Sequence, residues 1–138
     1  MISKNKIKFL RSLSIKKNRE KYQQVILEGY RLIEEAIKSN ATIEYICYVS
    51  KSIDKISNNK LFIPYEKFLI SEQECKILSD TKNSQGIIAL VNIDKYLNSK
   101  IHNIKTDNVM VLDGISDPGN LGAIFRNCIW FGIKSIIL

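Results

Sequence analysis

The spacing of apolar residues changes along the chain, and each change predicts an element. Residues 4–12 (KNKIKFLRS) bring Ile7, Leu10 and Arg11 onto neighbouring faces of a short helix. Residues 13–23 are polar and basic with little period, and read as a loop. Residues 24–28 (QVILE) form a brief apolar run that fits a buried strand, and Gly29 turns the chain into residues 30–39. There Leu32, Ile33, Ala36 and Ile37 make one stripe opposite Arg31, Glu34, Glu35 and Lys38, as in an amphipathic helix lying on a sheet. Residues 42–49 (TIEYICYV) alternate and are rich in β-branched and aromatic side chains, which predicts a strand. Residues 51–59 suit a short helix or a loop, and 61–64 (LFIP) a brief strand ended by Pro64.

Ser71 and Glu74 form a capping box ahead of Cys75, Ile77 and Leu78, so a helix starts there. Residues 86–92 (GIIALVN) are a further strand. The order predicts a small α/β sandwich over residues 1–93. Residues 94–107 are polar and serve as a linker or a short connecting helix. A buried strand at 108–112, a turn (DGISDPGN), a helix (LGAIFRNCIWFG) ended by Gly132 and a buried strand (KSIIL) then make one β-α-β unit. A parallel sheet needs cover on both faces, which two strands and one helix do not supply. Either another chain completes this unit or the sequence is a fragment of a longer protein, and a fragment is the favoured expectation.

Apolar residues make up 45% and charged residues 25%, the balance of a globular protein. No apolar run approaches the roughly 18 residues a membrane span requires. Cys47, Cys75 and Cys128 lack metal-ligand spacing and suit buried thiols in a reduced cytoplasmic protein. His102 is the single histidine, without partners for a metal or catalytic role. The charge changes the picture by its position. Residues 1–23 hold Lys4, Lys6, Lys8, Arg11, Lys16, Lys17, Arg19 and Lys21 against Glu20 alone, which equals the whole chain's net +7. A one-signed end on a neutral body fits a footprint for nucleic acid, and equally a solvated basic terminus.

The segment that carries chemistry is LDGISDPGNLGAIFRN, residues 112–127. Pro118 and Gly119 suit a tight turn, and Asn120 a helix N-cap. Gly122 clears the first helical turn, and Arg126 follows four residues later on the same face. Free N–H groups, the helix dipole and an arginine would then converge on a phosphate or another anion. A plain capped turn with a surface arginine uses the same residues. A dinucleotide-binding turn is excluded by glycine spacing, and a phosphate-binding loop by the missing Gly-Lys-Ser/Thr.

The stretch VMVLDGISDPGNLGAIFRNCIWFGIKSIIL resembles the first motif of the SpoU-type (TrmH-like) RNA 2′-O-ribose methyltransferases, including an Asn-x-Gly-x-x-x-Arg core. RSL, VILEGYRLIEEAI and TKNSQGIIAL stand in the order expected of that family's substrate-binding domain, which is similar in fold to a small ribosomal protein that grips bent RNA. The resemblance implies an RNA-binding domain, then an incomplete β-α-β start, at 108–138, of a knotted (SPOUT-type) methyltransferase domain. It implies methyl transfer from S-adenosylmethionine to a ribose 2′-OH, with Arg126 catalytic and Asn120 supporting it. Ribosomal RNA is favoured and transfer RNA is the other substrate class. A homodimer is expected of the full-length enzyme. Cys128 and Trp130 depart from the family's pattern and suit packing.

The motifs that build the cofactor pocket are absent, so the resemblance assigns no residue here to the cofactor and predicts no methylation by this chain alone. Lys8, Arg11, Lys16, Lys17 and Arg19, with Arg31 at its helix start, are the expected phosphate contacts. The competing reading is a stand-alone RNA-binding module without catalysis.

Overall fold

The computed structural model describes residues 2–81, 84–97 and 108–138. The chain forms two compact units, residues 1–99 and 100–138. His102 and positions 98–107 of the expected linker lie outside the described residues.

In the first unit, α1 (Lys4–Ser12) is capped by Ser3 Oγ, which accepts from the Lys6 N–H. Leu10 at its end is fully buried. The expected loop at 13–23 contains a second helix, α2 (Lys16–Tyr22). Lysine, arginine and glutamate are good helix formers without any apolar period, so periodicity alone missed it. Asn18 and Arg19 donate backbone N–H groups to the Ile15 carbonyl to start it. Gln23, in the left-handed region at φ 52°, ends it and turns into β1 (Gln24–Glu28).

Next come α3 (Tyr30–Lys38), β2 (Thr42–Tyr48), α4 (Ile53–Ser57), β3 (Lys67–Leu69), α5 (Glu72–Leu78), β4 (Ile87–Asn92) and α6 (Asp94–Leu97). The sheet order is β1-β4-β2-β3. Strand β4 runs antiparallel to β1 and β2, and β2 runs parallel to β3. Central β4 is buried over Ile87–Val91, as its unbroken apolar run requires. The expected buried strand at 24–28 is an edge strand, and all five residues are half-buried.

Two apolar clusters cover the two faces of the sheet. One joins Leu10 and Leu13 to Tyr45, Cys47, Ile88 and Leu90, with Cys75 and Leu78 of α5. The other joins Ile33 of α3 to Ile43, Ile46, Phe62 and Ile87. Leu32, expected in the buried stripe, is exposed. The expected strand at 61–64 is instead a 3-10 turn at Lys60–Phe62, because Asn59 Oδ1 accepts from the Leu61 N–H and fixes the tight geometry. The neighbouring strand comes later, as β3. The capping box at Ser71 and Glu74 is present in full. No helix among the described residues is long and apolar enough to cross a membrane.

The second unit is a β-α-β arrangement of β5 (Val109–Val111), α7 (Pro118–Trp130) and β6 (Ser135–Ile137), with the strands parallel. Cys128 is its buried anchor. The strands expected to be buried are not: Val111 is 67% and Leu138 74% exposed, and at the end of α7 Trp130 is 88% exposed. Two strands and one helix do not cover both faces of a parallel sheet.

Candidate functional site

In the second unit the ladder runs one bond past β5, from the Leu112 N–H to the Ile137 carbonyl. Gly114 then takes φ +68°, a conformation L side chains rarely adopt, and releases the chain toward α7. The cap differs from expectation. Asp117, not Asn120, is the N-cap, and its Oδ1 accepts from the Asn120 N–H at 2.7 Å. Pro118 decides this. Its fixed φ and missing N–H suit the first helical position, which leaves the preceding aspartate to cap. Pro118 and Gly119 are therefore the first helical residues, not a separate turn. A Cβ on Gly119 would stand 3.2 Å from Asp117 Oδ1, so this glycine keeps room for the capping carboxylate.

The cap also narrows the expected anion site. Pro118 has no N–H, Asn120 gives its own to Asp117, and Leu121 gives its own to the Asp117 carbonyl. A carboxylate already sits at the positive end of the dipole. Arg126 is better placed to meet an anion. A Cβ on Gly122 would lie 3.9 Å from Arg126 Nη1, so the guanidinium folds back over the glycine toward the first turn. Asn120 and Arg126 are both exposed, and none of the ion pairs among the described residues engages Arg126.

Two open clefts flank this unit. One, of about 560 Å³, is lined by Phe125, Ile129, Ile133, Lys134, Ile136 and Leu138. The other, of about 290 Å³, is lined by Leu112, Gly114, Ile115, Ser116 and Leu138. S-adenosylmethionine carries an ammonium and a sulfonium and calls for anionic and carbonyl acceptors. Neither lining has an acidic side chain, and neither of these two clefts fits the cofactor.

In the first unit the expected phosphate contacts lie on three helices. Lys8 and Arg11 are exposed on α1, Lys16 and Lys17 are exposed on α2, and Lys16 is 3.7 Å from Glu20 in a solvated pair. Arg19 is otherwise engaged. Its Nη1 donates to the Leu13 carbonyl at 3.0 Å and the Ser14 carbonyl at 2.6 Å, tying the end of α1 to α2. Arg11 and Arg19 share a cleft of about 500 Å³ with Ser14 and Asp80. Arg31 is exposed in the first turn of α3, at the positive end of that helix dipole, where a cation is disfavoured by about 0.3–1 kcal/mol. Lys6 is a structural cation, 4.1 Å from the Phe68 ring centroid and 4.9 Å from that of Tyr45.

Sequence reading missed a second polar cleft, of about 300 Å³, lined by Tyr30, Lys51, Ser52, Lys55, Ser84 and Gln85. It also missed Glu28, whose Oε1 accepts from Ser79 Oγ at 2.6 Å and from Thr81 Oγ1 at 2.8 Å. Burial pushes the Glu28 carboxyl up, but hydrogen bonds from Ser79, Thr81, Ser84 and the Asp80 backbone outweigh it and hold the group below its ordinary value. No signal in the sequence pointed to this link, since its partners are distant along the chain. The cysteines are buried, and burial pushes the Cys47 thiol up to about 12, which makes it an inert core group. Among the described residues no cluster of three or more His, Cys, Asp or Glu is gathered for a metal ion.

The chain is similar to known proteins along nearly its whole length. Residues 4–89 match the MRM3-like substrate binding domain. The 23S rRNA guanosine 2′-O-methyltransferase RlmP of Bacillus subtilis is 28% identical over 133 residues, covering 96% of this chain and 50% of RlmP. A solved protein of the TrmH family from Porphyromonas gingivalis superposes with a TM-score of 0.75 at 28% identity, over 99% of this chain and 51% of that one. An AdoMet-bound rRNA methyltransferase from Sinorhizobium meliloti, at 22% identity and a TM-score of 0.73 over 99% of this chain and 51% of its own, shares the fold. The chain thus spans about half the length of these relatives. With residues 4–89 matched to a substrate-binding domain and nearly the whole chain similar to these methyltransferases, the chain belongs to the SpoU-type (TrmH-like) RNA methyltransferase family.

Proposed function

We propose that this chain serves S-adenosylmethionine-dependent 2′-O-methylation of RNA, ribosomal RNA in the first place, and supplies the RNA-binding and ribose-activating parts of that activity. Residues 1–93 bind RNA, residues 94–107 connect, and residues 108–138 present the catalytic side chains. The cofactor would supply an electrophilic methyl group, and neither cleft of the second unit fits it. The chain alone is therefore expected to bind RNA without transferring a methyl group. We place it in the cytoplasm, in a homodimer when active.

The observation that carries the catalytic reading is the Arg126 guanidinium folded over Gly122 on an open helix face. Arginine stays protonated in proteins, so it is a poor base. Its planar fork suits a bidentate grip on the phosphate beside the target ribose. Held there, its charge would stabilise negative charge on the ribose 2′-oxygen. The Asn120 side chain, on the exposed first turn, orients the same ribose. Lys8, Arg11, Lys16, Lys17 and Arg31 hold the RNA by its phosphates, while Arg19 chiefly holds α1 to α2.

The test is a chimera in which these 138 residues replace the matching half of RlmP, assayed for methylation of 23S rRNA. Arg126→Lys keeps the charge and loses the fork, and should cut turnover on the order of 100-fold. Near-parental turnover would contradict the clamp. The alternative, an RNA-binding module without catalytic activity, draws on the absence of acidic side chains from both clefts of the second unit. It predicts a chimera that binds RNA and never methylates it.

A further inference from the structure

Two segments far apart in sequence meet at one end of the first unit. Glu28 closes β1, and residues 79–86 lead into β4. Because β1 and β4 pair antiparallel with Glu28 opposite Ile88, the two segments arrive side by side. Ser79 and Thr81 both donate to Glu28 Oε1. The far end of the same loop is tied as well. Gln85 Oε1 accepts from the Tyr30 N–H at 3.0 Å, which caps α3, and the Gln85 carbonyl accepts from Ser52 Oγ at 3.2 Å. Gly29, at φ +102°, sits between, and a Cβ there would stand 3.4 Å from Gln85 Oε1. Ser79 and Thr81 are thus pinned to Glu28, and Gln85 to the first turn of α3.

This pinned corner carries cations. Arg31 follows Tyr30, and Lys55 and Lys51 line the adjoining cleft with the hydroxyls of Ser52 and Ser84. Lys51 is paired with Glu72 at 3.0 Å, whereas no ion pair among the described residues engages Arg31 or Lys55. A carboxylate beside such a surface would repel a polyanion if it faced outward. Glu28 is half-buried and turns its Oε1 toward the Ser79 and Thr81 hydroxyls.

We infer that Glu28 is a positioning residue for RNA binding: its carboxylate holds Ser79 and Thr81 at the end of β1, beside Gln85 on the first turn of α3, so that Arg31 and Lys55 meet RNA phosphates at a fixed spacing. The inference rests on reading the first unit as an RNA-binding domain.

The test measures binding of the full chain to a fluorescein-labelled RNA stem-loop by anisotropy. Glu28→Ala should weaken binding about tenfold, and Glu28→Gln, which keeps an oxygen acceptor, should restore most of it. Arg31→Ala should weaken wild-type binding and have little further effect in the Glu28→Ala background, because the latch and the cation act as one unit. A structural role alone predicts independent, additive losses. Should Glu28→Ala lose its folded circular-dichroism signal, the double change Ser79→Ala with Thr81→Val breaks the latch by removing the two hydroxyls that donate to Glu28 Oε1. Unchanged affinity on breaking the latch, or additive losses with Arg31→Ala, overturns the inference while wild-type binding keeps the RNA-binding reading. A wild-type chain that ignores the RNA overturns both.

Discussion

Asp117 and Asn120 divide one task between them that either could perform alone. Both residue types cap helices, and the run Asp-Pro-Gly-Asn offers both. Proline's preference for the first helical position gives the cap to Asp117 and leaves the Asn120 side chain outside it. Asp117→Ala should cost about 1 kcal/mol, the usual loss for a capping side chain, and Asn120→Ala should cost almost nothing. Urea unfolding followed by far-ultraviolet circular dichroism checks both variants. Equal losses for the two variants would contradict this division. The spacing from Gly122 to Arg126 was legible in sequence because helical period places residues four apart on one face. The cap was misread because capping propensity ranks Asn and Asp together, and only the proline between them separates their roles.

At the scale of elements, legibility followed the kind of force that makes each one. Strand β4 and helix α3 are written in apolar pattern and were found. Helix α2 buries none of its residues and has no such pattern. What holds it is a set of polar bonds to α1: the Arg19 guanidinium on two carbonyls and the Asn18 side chain on the Ser12 carbonyl at 2.9 Å. No periodicity reports bonds of that sort. They also divide the basic residues into two roles. Arg19→Ala should lower the unfolding free energy by about 1 kcal/mol, since the donor is partly exposed. Lys16→Ala and Lys17→Ala should leave the urea midpoint unchanged and weaken RNA binding. A fully stable Arg19→Ala variant would show that the corner does not depend on it. The link from Glu28 to the 79–86 loop was illegible for another reason: its partners are about fifty residues apart, and only strand pairing brings them together.

For the whole molecule, charge and acid stability are the measurable consequences. The Glu28 carboxyl lies below its ordinary value of 4.5 in the folded state, so the unfolded chain binds that proton more readily. Its contribution to stability is present above 4.5 and is lost as the pH falls through the lower folded-state value. Glu28→Gln should flatten that acid limb of the stability profile and leave the neutral plateau in place; an unchanged limb would show that the latch carries no such linkage. The basic end of the chain gives the larger effect. Seven of its eight cations are described as exposed or half-exposed with no claim on their charge beyond a solvated pair or an aromatic ring, and Arg19 is the exception.

Binding to RNA through such a surface releases counterions, so the measurement that tests the account most directly is the affinity of the chain for an RNA stem-loop as salt is raised from about 50 to 200 mM. With about four to five phosphates held, the log–log slope should be roughly −3 to −4. Replacing Lys16 and Lys17 with alanine together should make it shallower by about 1 to 2. Affinity that stays flat across this range, or is absent at its low end, would contradict the reading of the first unit as the RNA-binding half of a ribose methyltransferase.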